Sequence, residues 1–147
     1  MESDNKKMNM LFLCTGNSCR SQMAEGWAKH LKGDKFESYS AGIAIRELNP
    51  NAVKVMAEAG VDISKHQPKL LSSLDDISFD VVIAVCGHAY ERCSVYPKNA
   101  KIIYQGFDDP PKLAQKSISE EESLIHYRRV RNEIKEYVMK LPEILSK

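Results

Sequence analysis

Hydrophobic residues form short continuous runs that alternate with helically spaced positions along the chain. The runs predict four β-strands, at 8–13, 36–41, 79–85 and 101–104. The third is the clearest, because its nearly continuous β-branched composition is typical of a central strand in a parallel sheet.

The helically spaced positions predict three helices. In the first, Gly33 follows as a stop after the apolar residues Met23, Ala24, Trp27, Ala28 and Leu31. The second begins with Asn49 as N-cap and Pro50 as first helical residue, stops at Gly60, and is expected to bury Val53, Met56 and Ala57. The last begins at the capping box of Ser119 and Glu122, and its apolar stripe is Tyr127, Val130, Ile134, Tyr137, Val138 and Leu141.

Alternating strands and helices predict one α/β domain over residues 1–147, with a four-stranded parallel sheet and helices on both faces. Ligands bind such sheets outside the carboxyl ends of the strands. Cys14 ends the first strand, Cys86 follows the third, and Asp108 and Asp109 lie just past the fourth. We therefore expect these groups to share one edge of the sheet.

Composition narrows the possible functions. Hydrophobic residues make up 43%, charged residues 28%, and the net charge is +1, so composition favours neither a nucleic-acid nor a membrane partner. No segment reads as a membrane span, and the acidic start does not resemble a signal peptide, so a cytoplasmic location is expected. Four cysteines in that setting are expected to be reactive, and without closely spaced Cys or His pairs no metal site is predicted.

Residues 14–21 read Cys-Thr-Gly-Asn-Ser-Cys-Arg-Ser, between a predicted strand and a predicted helix. Small residues let successive N–H groups point inward as an anion cradle, which the helix N-terminus reinforces. Arg20 can grip two oxygens of a tetrahedral oxyanion, and Cys14 would face its central atom. The predicted anion-binding residues are Thr15, Gly16, Asn17, Ser18, Cys19, Arg20 and Ser21.

These positive surroundings predict a lowered pKa for Cys14, with Ser21 donating a hydrogen bond to its sulfur. The alternative is that Cys14 is an inert core residue and Arg20 a solvated charge. Cys19 is expected to pack beneath the cradle, and a protective link to Cys14 is the other possibility.

The stretch LFLCTGNSCRSQMAEGWAKHL, with YSAGI, the Cys86 and Cys93 pair, GFDDP and RVRNEIK, closely resembles the thioredoxin-coupled arsenate reductases. That family shares its fold with the low-molecular-weight protein tyrosine phosphatases. The resemblance implies that Cys14 attacks arsenate, that Arg20 and the loop amides hold its oxygens, and that Asp109 is the general acid. It further implies that Cys86 and Cys93 relay a disulfide outward to thioredoxin, an external reductant, in arsenic detoxification.

The resemblance also implies that no cofactor is bound, and a monomer is expected. Some related reductases hold potassium at positions matching Asn17, Glu25 and Ser40. The fourth position is Lys69 here, whose ammonium group is expected to replace the ion.

Residue chemistry supports the reductase, since arsenate reduction needs two electrons and a dithiol supplies two. The alternative is a phosphatase that uses Cys14, Arg20 and Asp109 in the same roles. Against it, Cys86 and Cys93 would be idle, and the Pro-Pro-Lys-Leu after Asp109 lacks aromatic residues for phosphotyrosine. A third possibility is a non-catalytic anion or redox sensor. Predicted structural residues are Trp27, His66 and His126, with His88 at the surface.

Overall fold

The computed structural model describes residues 7–87, 89 and 100–146. Within them the chain forms a parallel sheet of four strands, β1 (Met8–Cys14), β2 (Phe36–Gly42), β3 (Val81–Ala84) and β4 (Lys101–Tyr104). Their spatial order is β2-β1-β3-β4. The predicted strands and the predicted parallel α/β fold are confirmed.

The α-helices of the described residues are α1 (Arg20–Lys32), α2 (Pro50–Glu58), α3 (Pro110–Leu113) and α4 (Glu120–Met139). Short 3-10 turns lie at Leu71–Leu74, Ala114–Lys116 and Glu143–Ser146. None of the helices in this part of the chain is both long and apolar enough to cross a membrane.

The core is centred on β1 and β3, and α1 packs against α4. Every residue from Met10 to Cys14 is buried, as is every residue of β3. Because successive strand residues point to opposite faces, both faces of the central strands are covered. Each large apolar side chain buried here contributes about 1.5–3 kcal/mol relative to exposure.

The predicted helix caps are confirmed. The Asn49 side-chain oxygen accepts from the amides of Asn51 and Ala52 at 2.9 and 3.1 Å. The Ser119 hydroxyl accepts from the Glu122 amide at 3.1 Å. A cap of this kind stabilises its helix by about 1 kcal/mol.

The predicted inner face of α2 is wrong by one residue. Its buried residues are Ala52, Val55 and Met56, whereas Val53 is half-buried and Ala57 is exposed. Both sets have helical spacing, and the choice between them depends on the angle at which α2 meets α4, which local hydrophobicity does not encode. In α4 the predicted stripe is buried except for half-buried Tyr137, with Leu124 added to it and Leu141 buried just past the helix end.

Candidate active site

The carboxyl ends of three strands bring the candidate residues together. Cys14 is the last residue of β1, Cys86 follows β3, and Asp109 precedes α3. The Cys14 and Cys86 thiols are close enough that each shifts the pKa of the other, and Arg20 Nη2 lies 3.7 Å from Asp109 Oδ2. These four residues are called the reactive rim below. Their predicted convergence is confirmed, while Cys93 and His88 lie outside the described residues.

The loop between β1 and α1 is held from outside by the chain that follows β2. The Thr15 carbonyl accepts from the amides of Ile43 and Ala44, at 3.0 and 2.9 Å. The Gly16 carbonyl accepts from the Arg46 amide at 3.1 Å. These carbonyl groups are directed toward the segment that follows β2. The loop amides are therefore free to point inward and bind an anion, as in other backbone anion nests.

Asn17 sets the shape of the loop. It has a φ of +53°, a left-handed conformation that Asn tolerates better than most residues. Its buried side chain donates to the hydroxyls of Ser21 and Ser40, both at 2.9 Å, and accepts from the Lys69 amide at 2.9 Å and Gln22 Nε2 at 3.1 Å. The amide group therefore makes hydrogen bonds through both its nitrogen and its oxygen.

These bonds continue away from the loop. The Ser40 hydroxyl donates to Glu25 Oε1 at 2.5 Å, and Glu25 Oε2 pairs with Lys29 Nζ at 2.6 Å. Gln22 Oε1 lies 2.9 Å from His66 Nδ1. The supporting network, as we call it, comprises Asn17, Ser21, Gln22, Glu25, Lys29, Ser40 and His66. It is buried apart from half-buried His66 and the exposed end at Lys29.

The expectation that Lys69 replaces a potassium ion is wrong. The Lys69 ammonium group donates to the Gln67 carbonyl at 3.1 Å, at the surface. Lys29 provides the ammonium group beside Glu25, because four residues along α1 place the two side chains on one face. Within the described residues no cluster of three or more His, Cys, Asp or Glu side chains could hold a metal.

The two rim cysteines share their charge unequally. A hydrogen bond from Cys14 lowers the pKa of Cys86 to about 5, against the effect of burial. The Thr15 hydroxyl at 3.2 Å and the Ala89 amide at 3.4 Å also stabilise the Cys86 thiolate. The hydrogen bond to Cys86, with burial, raises the pKa of Cys14, although Arg20 opposes this. The two sulfurs therefore compete for one negative charge, which Arg20 stabilises on either of them. The predicted lowering at Cys14 stays a prediction.

Two other residues of the loop, Ser21 and Cys19, have contacts or burial that suit a structural role. Ser21, expected to donate to Cys14, instead accepts from Asn17. Cys19 is buried at the start of α1, where burial and the nearby Asp109 carboxylate raise its pKa to about 12. A thiol that stays protonated is consistent with the predicted packing role.

Arg20 is prepared to bind an anion. Its Nη1 donates to the Phe107 carbonyl at 3.0 Å, while its buried Nε has no hydrogen-bond partner in the described structure. A buried unpaired N–H is costly, and an oxyanion in the loop would satisfy it. Asp109 is partly exposed beside this guanidinium. The exposed Asp108 carboxylate instead pairs with Arg129 at 2.9 Å.

Some participants were missed from the sequence. Gln22 and Lys29 belong to the supporting network, and Arg46 packs against the loop. The spacing of Glu25 and Lys29 was a usable signal. Nothing local distinguishes Gln22 or Arg46, since their roles depend on packing between distant segments. The predicted core role of Trp27 is confirmed, with 2% of its surface exposed.

A cysteine-to-arginine loop at the end of a parallel sheet defines a phosphatase-like protein. The profile of the low molecular weight phosphotyrosine protein phosphatases matches residues 9–147, so the chain belongs to this family.

Comparison with individual proteins refines this relationship. A Bacillus licheniformis protein named arsenate reductase is 47% identical over 137 residues, which cover 93% of this chain and 96% of that protein. A solved structure described as an arsenate reductase in the phosphate binding state has a TM-score of 0.69 at 32% identity, covering 91% of this chain and 95% of its own. A low molecular weight protein tyrosine phosphatase from T. tengcongensis reaches 0.75 at 32% identity, covering 94% and 99%. Reductases and phosphatases thus share this fold, and the choice between the two activities depends on the site.

Proposed function

We propose that this protein reduces arsenate to arsenite in the cytoplasm, as part of arsenic detoxification, with thioredoxin as the external reductant. We expect it to act as a monomer without a bound cofactor. The similarity to proteins named arsenate reductase supports this activity over the others that the fold accommodates.

One observation carries the proposal, the closeness of the Cys14 and Cys86 thiols at the ends of β1 and β3, where each shifts the pKa of the other. A phosphatase needs a single nucleophile, because phosphoryl transfer moves no electrons to the protein. Two thiols in contact can instead form a disulfide and deliver two electrons to arsenic. Once Cys14 is bonded to arsenic, the Thr15 hydroxyl, the Ala89 amide and the charge of Arg20 still favour the Cys86 thiolate, which is the form that acts as second nucleophile.

In the first step, arsenate occupies the loop and satisfies the unpaired Nε of Arg20. The proton on Cys14 passes to Cys86 along their hydrogen bond, and the Cys14 thiolate attacks arsenic. Hydroxide is a poor leaving group, so Asp109, once it has taken up a proton, donates this proton to the departing oxygen, which leaves as water. The short distance between Asp109 and Arg20 supports this role, because the same guanidinium would hold the reacting oxygens.

In the second step, Cys86 attacks the Cys14 sulfur. The Cys14–Cys86 disulfide forms as the arsenic–sulfur bond breaks. The bonding pair stays on arsenic, which is reduced from As(V) to As(III), and the Cys86 proton moves to an arsenite oxygen. Both thiols are oxidised, so the electrons balance.

In the third step, Cys93 attacks Cys86 and frees the Cys14 thiolate. The resulting Cys86–Cys93 disulfide is reduced by the dithiol of thioredoxin. Residues 88 and 90–99 lie outside the described structure, so this step depends on the family resemblance and on the chemistry of the paired thiols.

The test is arsenite formation by purified protein with thioredoxin, thioredoxin reductase and NADPH. We expect one NADPH consumed per arsenite, and Cys93→Ser should release about one arsenite per enzyme before stalling as a Cys14–Cys86 disulfide. Sustained turnover by Cys93→Ser would contradict the relay. Hydrolysis of an aryl phosphate without arsenite formation would favour the phosphatase, and binding without either reaction would favour a sensor.

A further inference from the structure

We propose that Arg46 is a second cationic binding residue, which captures the oxyanion at the edge of the loop before Arg20 holds it. This inference deepens the proposed function and rests on it. The argument uses the position of the Arg46 backbone, the course of its side chain and its lack of a counterion.

The backbone of Arg46 is fixed to the anion loop. Its amide donates to the Gly16 carbonyl at 3.1 Å. Two residues earlier, the Ala44 amide donates to Thr15 at 2.9 Å. Thr15 and Gly16 directly follow the nucleophile Cys14, so the segment carrying Arg46 runs alongside the anion site.

The side chain of Arg46 lies on the loop itself. A Cβ atom added to Gly16 would lie 2.7 Å from Arg46 Cδ and 2.9 Å from its Cγ. Contacts this short mean that a Cβ atom at position 16 would displace the arginine stem from its present place. The stem therefore rests against the loop and carries a guanidinium group beside the residues that bind the anion.

The charge of Arg46 is not neutralised by a partner in the described residues. Arg20 interacts with the Phe107 carbonyl and Asp109, whereas no described side chain forms an ion pair or hydrogen bond with the Arg46 guanidinium. Arg46 is exposed, so its guanidinium group is accessible from solvent beside the loop. A free cation at the mouth of a site raises the local concentration of an anionic substrate.

The solvent exposure of Arg46 determines how strongly its replacement should affect catalysis and which kinetic constant should change. Solvent screens the charge, so Arg46 contributes to capture and little to the chemical step, which occurs beside Arg20. We expect Arg46→Gln to raise the KM for arsenate about three- to tenfold with kcat unchanged. Arg46→Gln should also weaken the dependence of kcat/KM on ionic strength. Arg46→Lys keeps the positive charge, so its KM for arsenate should be close to that of the unmodified protein.

The matched control is Lys35→Gln, which removes the same charge before β2, at the opposite edge of the sheet. It should leave the KM for arsenate unchanged. An unchanged KM in Arg46→Gln would overturn the proposal, as would an equal rise in Lys35→Gln. A rise confined to the KM for thioredoxin would also overturn it, by making Arg46 a partner contact.

Phosphate binding, measured by isothermal titration calorimetry, separates this inference from the proposed function. Arg46→Gln should bind inorganic phosphate about three- to tenfold more weakly than the unmodified protein. If the unmodified protein forms no arsenite with thioredoxin, the proposed function fails, while the two phosphate affinities still decide the role of Arg46. Equal affinities would overturn that role.

Discussion

The supporting network and the reactive rim both border the loop between β1 and α1, and they differ in how completely their polar groups are paired. In the network, the side chain of Asn17 uses both its nitrogen and its oxygen, and Glu25 is bonded through both oxygens. At the rim, Arg20 Nε is unpaired, and the pKa of Cys86 is lowered although the residue is buried. The network fixes the backbone, and the rim keeps its unpaired groups for substrate.

This difference explains how the protein tolerates the unpaired buried groups of the reactive rim, which cost free energy of folding. Each unpaired buried polar group costs about 1–3 kcal/mol, and a buried thiolate adds to that cost. Ser21 and Gln22 of the satisfied network directly follow Arg20, so the network restrains the loop from rearranging to pair the Arg20 Nε. Substitutions on the two sides should therefore separate activity from stability.

The largest effect is expected from Cys14→Ser. A hydroxyl is almost fully protonated at neutral pH and lacks the sulfur needed for the arsenic adduct, so turnover should fall to background. Phosphate binding and the free energy of unfolding should remain nearly unchanged, because the network is intact. Appreciable arsenite formation by this variant would contradict the assignment of the nucleophile.

Asp109→Asn should lower kcat by about 10²–10⁴-fold, because the amide cannot protonate the departing oxygen. The matched control is Asp108→Asn, whose carboxylate instead forms an exposed pair with Arg129. Steady-state kinetics on both variants checks the prediction. Equal losses in the two would mean that Asp109 has no special role in proton transfer.

On the network side, Asn17→Ala should reduce the free energy of unfolding by about 2–4 kcal/mol, through lost bonds and the left-handed backbone. Asn17→Gly is the control, because glycine accepts the φ of +53° and loses only the side-chain bonds. Denaturant unfolding of both variants measures the two contributions. A loss below about 0.5 kcal/mol in Asn17→Ala would show that the network does not fix the loop.

The sequence predicted the rim far better than the network. The parallel arrangement of the strands and the edge rule place Cys14, Cys86 and Asp109 together, because Cys14 ends and Cys86 follows a predicted strand, and Asp109 lies a few residues past another. The α2 face, the Ser21 partner and the Lys69 position were wrong, since each depends on the angle or distance between segments far apart in the chain. Charge sharing between Cys14 and Cys86 also escaped prediction, because it requires knowing that the sulfurs touch.

The lowered pKa of Cys86 predicts that its ionised fraction rises about tenfold between pH 4 and pH 6. A group with a pKa near 5 is about 9% ionised at pH 4 and about 91% at pH 6. Thiolate absorbance should therefore rise over this interval, and Cys86→Ser should remove the rise. In Cys14→Ser the transition should move to higher pH, because the hydrogen bond from the Cys14 thiol is its main cause. An unshifted transition in Cys14→Ser would contradict charge sharing.

The smallest effect is expected at the exposed end of the network. Lys29→Gln removes the ammonium group from Glu25, but the lysine side chain is 53% exposed, so the free energy of unfolding should fall by only about 0.5–1 kcal/mol. The unmodified protein should respond little to potassium, because Lys29 already neutralises Glu25. In Lys29→Gln the uncompensated carboxylate should make the melting temperature more sensitive to added cations.

Lys69→Gln is the matched control and should behave like the unmodified protein, because that ammonium group contacts only the Gln67 carbonyl among the described residues. Melting curves in potassium and in a bulky organic cation, at equal ionic strength, test this. A potassium-selective rise in the unmodified protein, or a larger loss in Lys69→Gln than in Lys29→Gln, would contradict the role of Lys29.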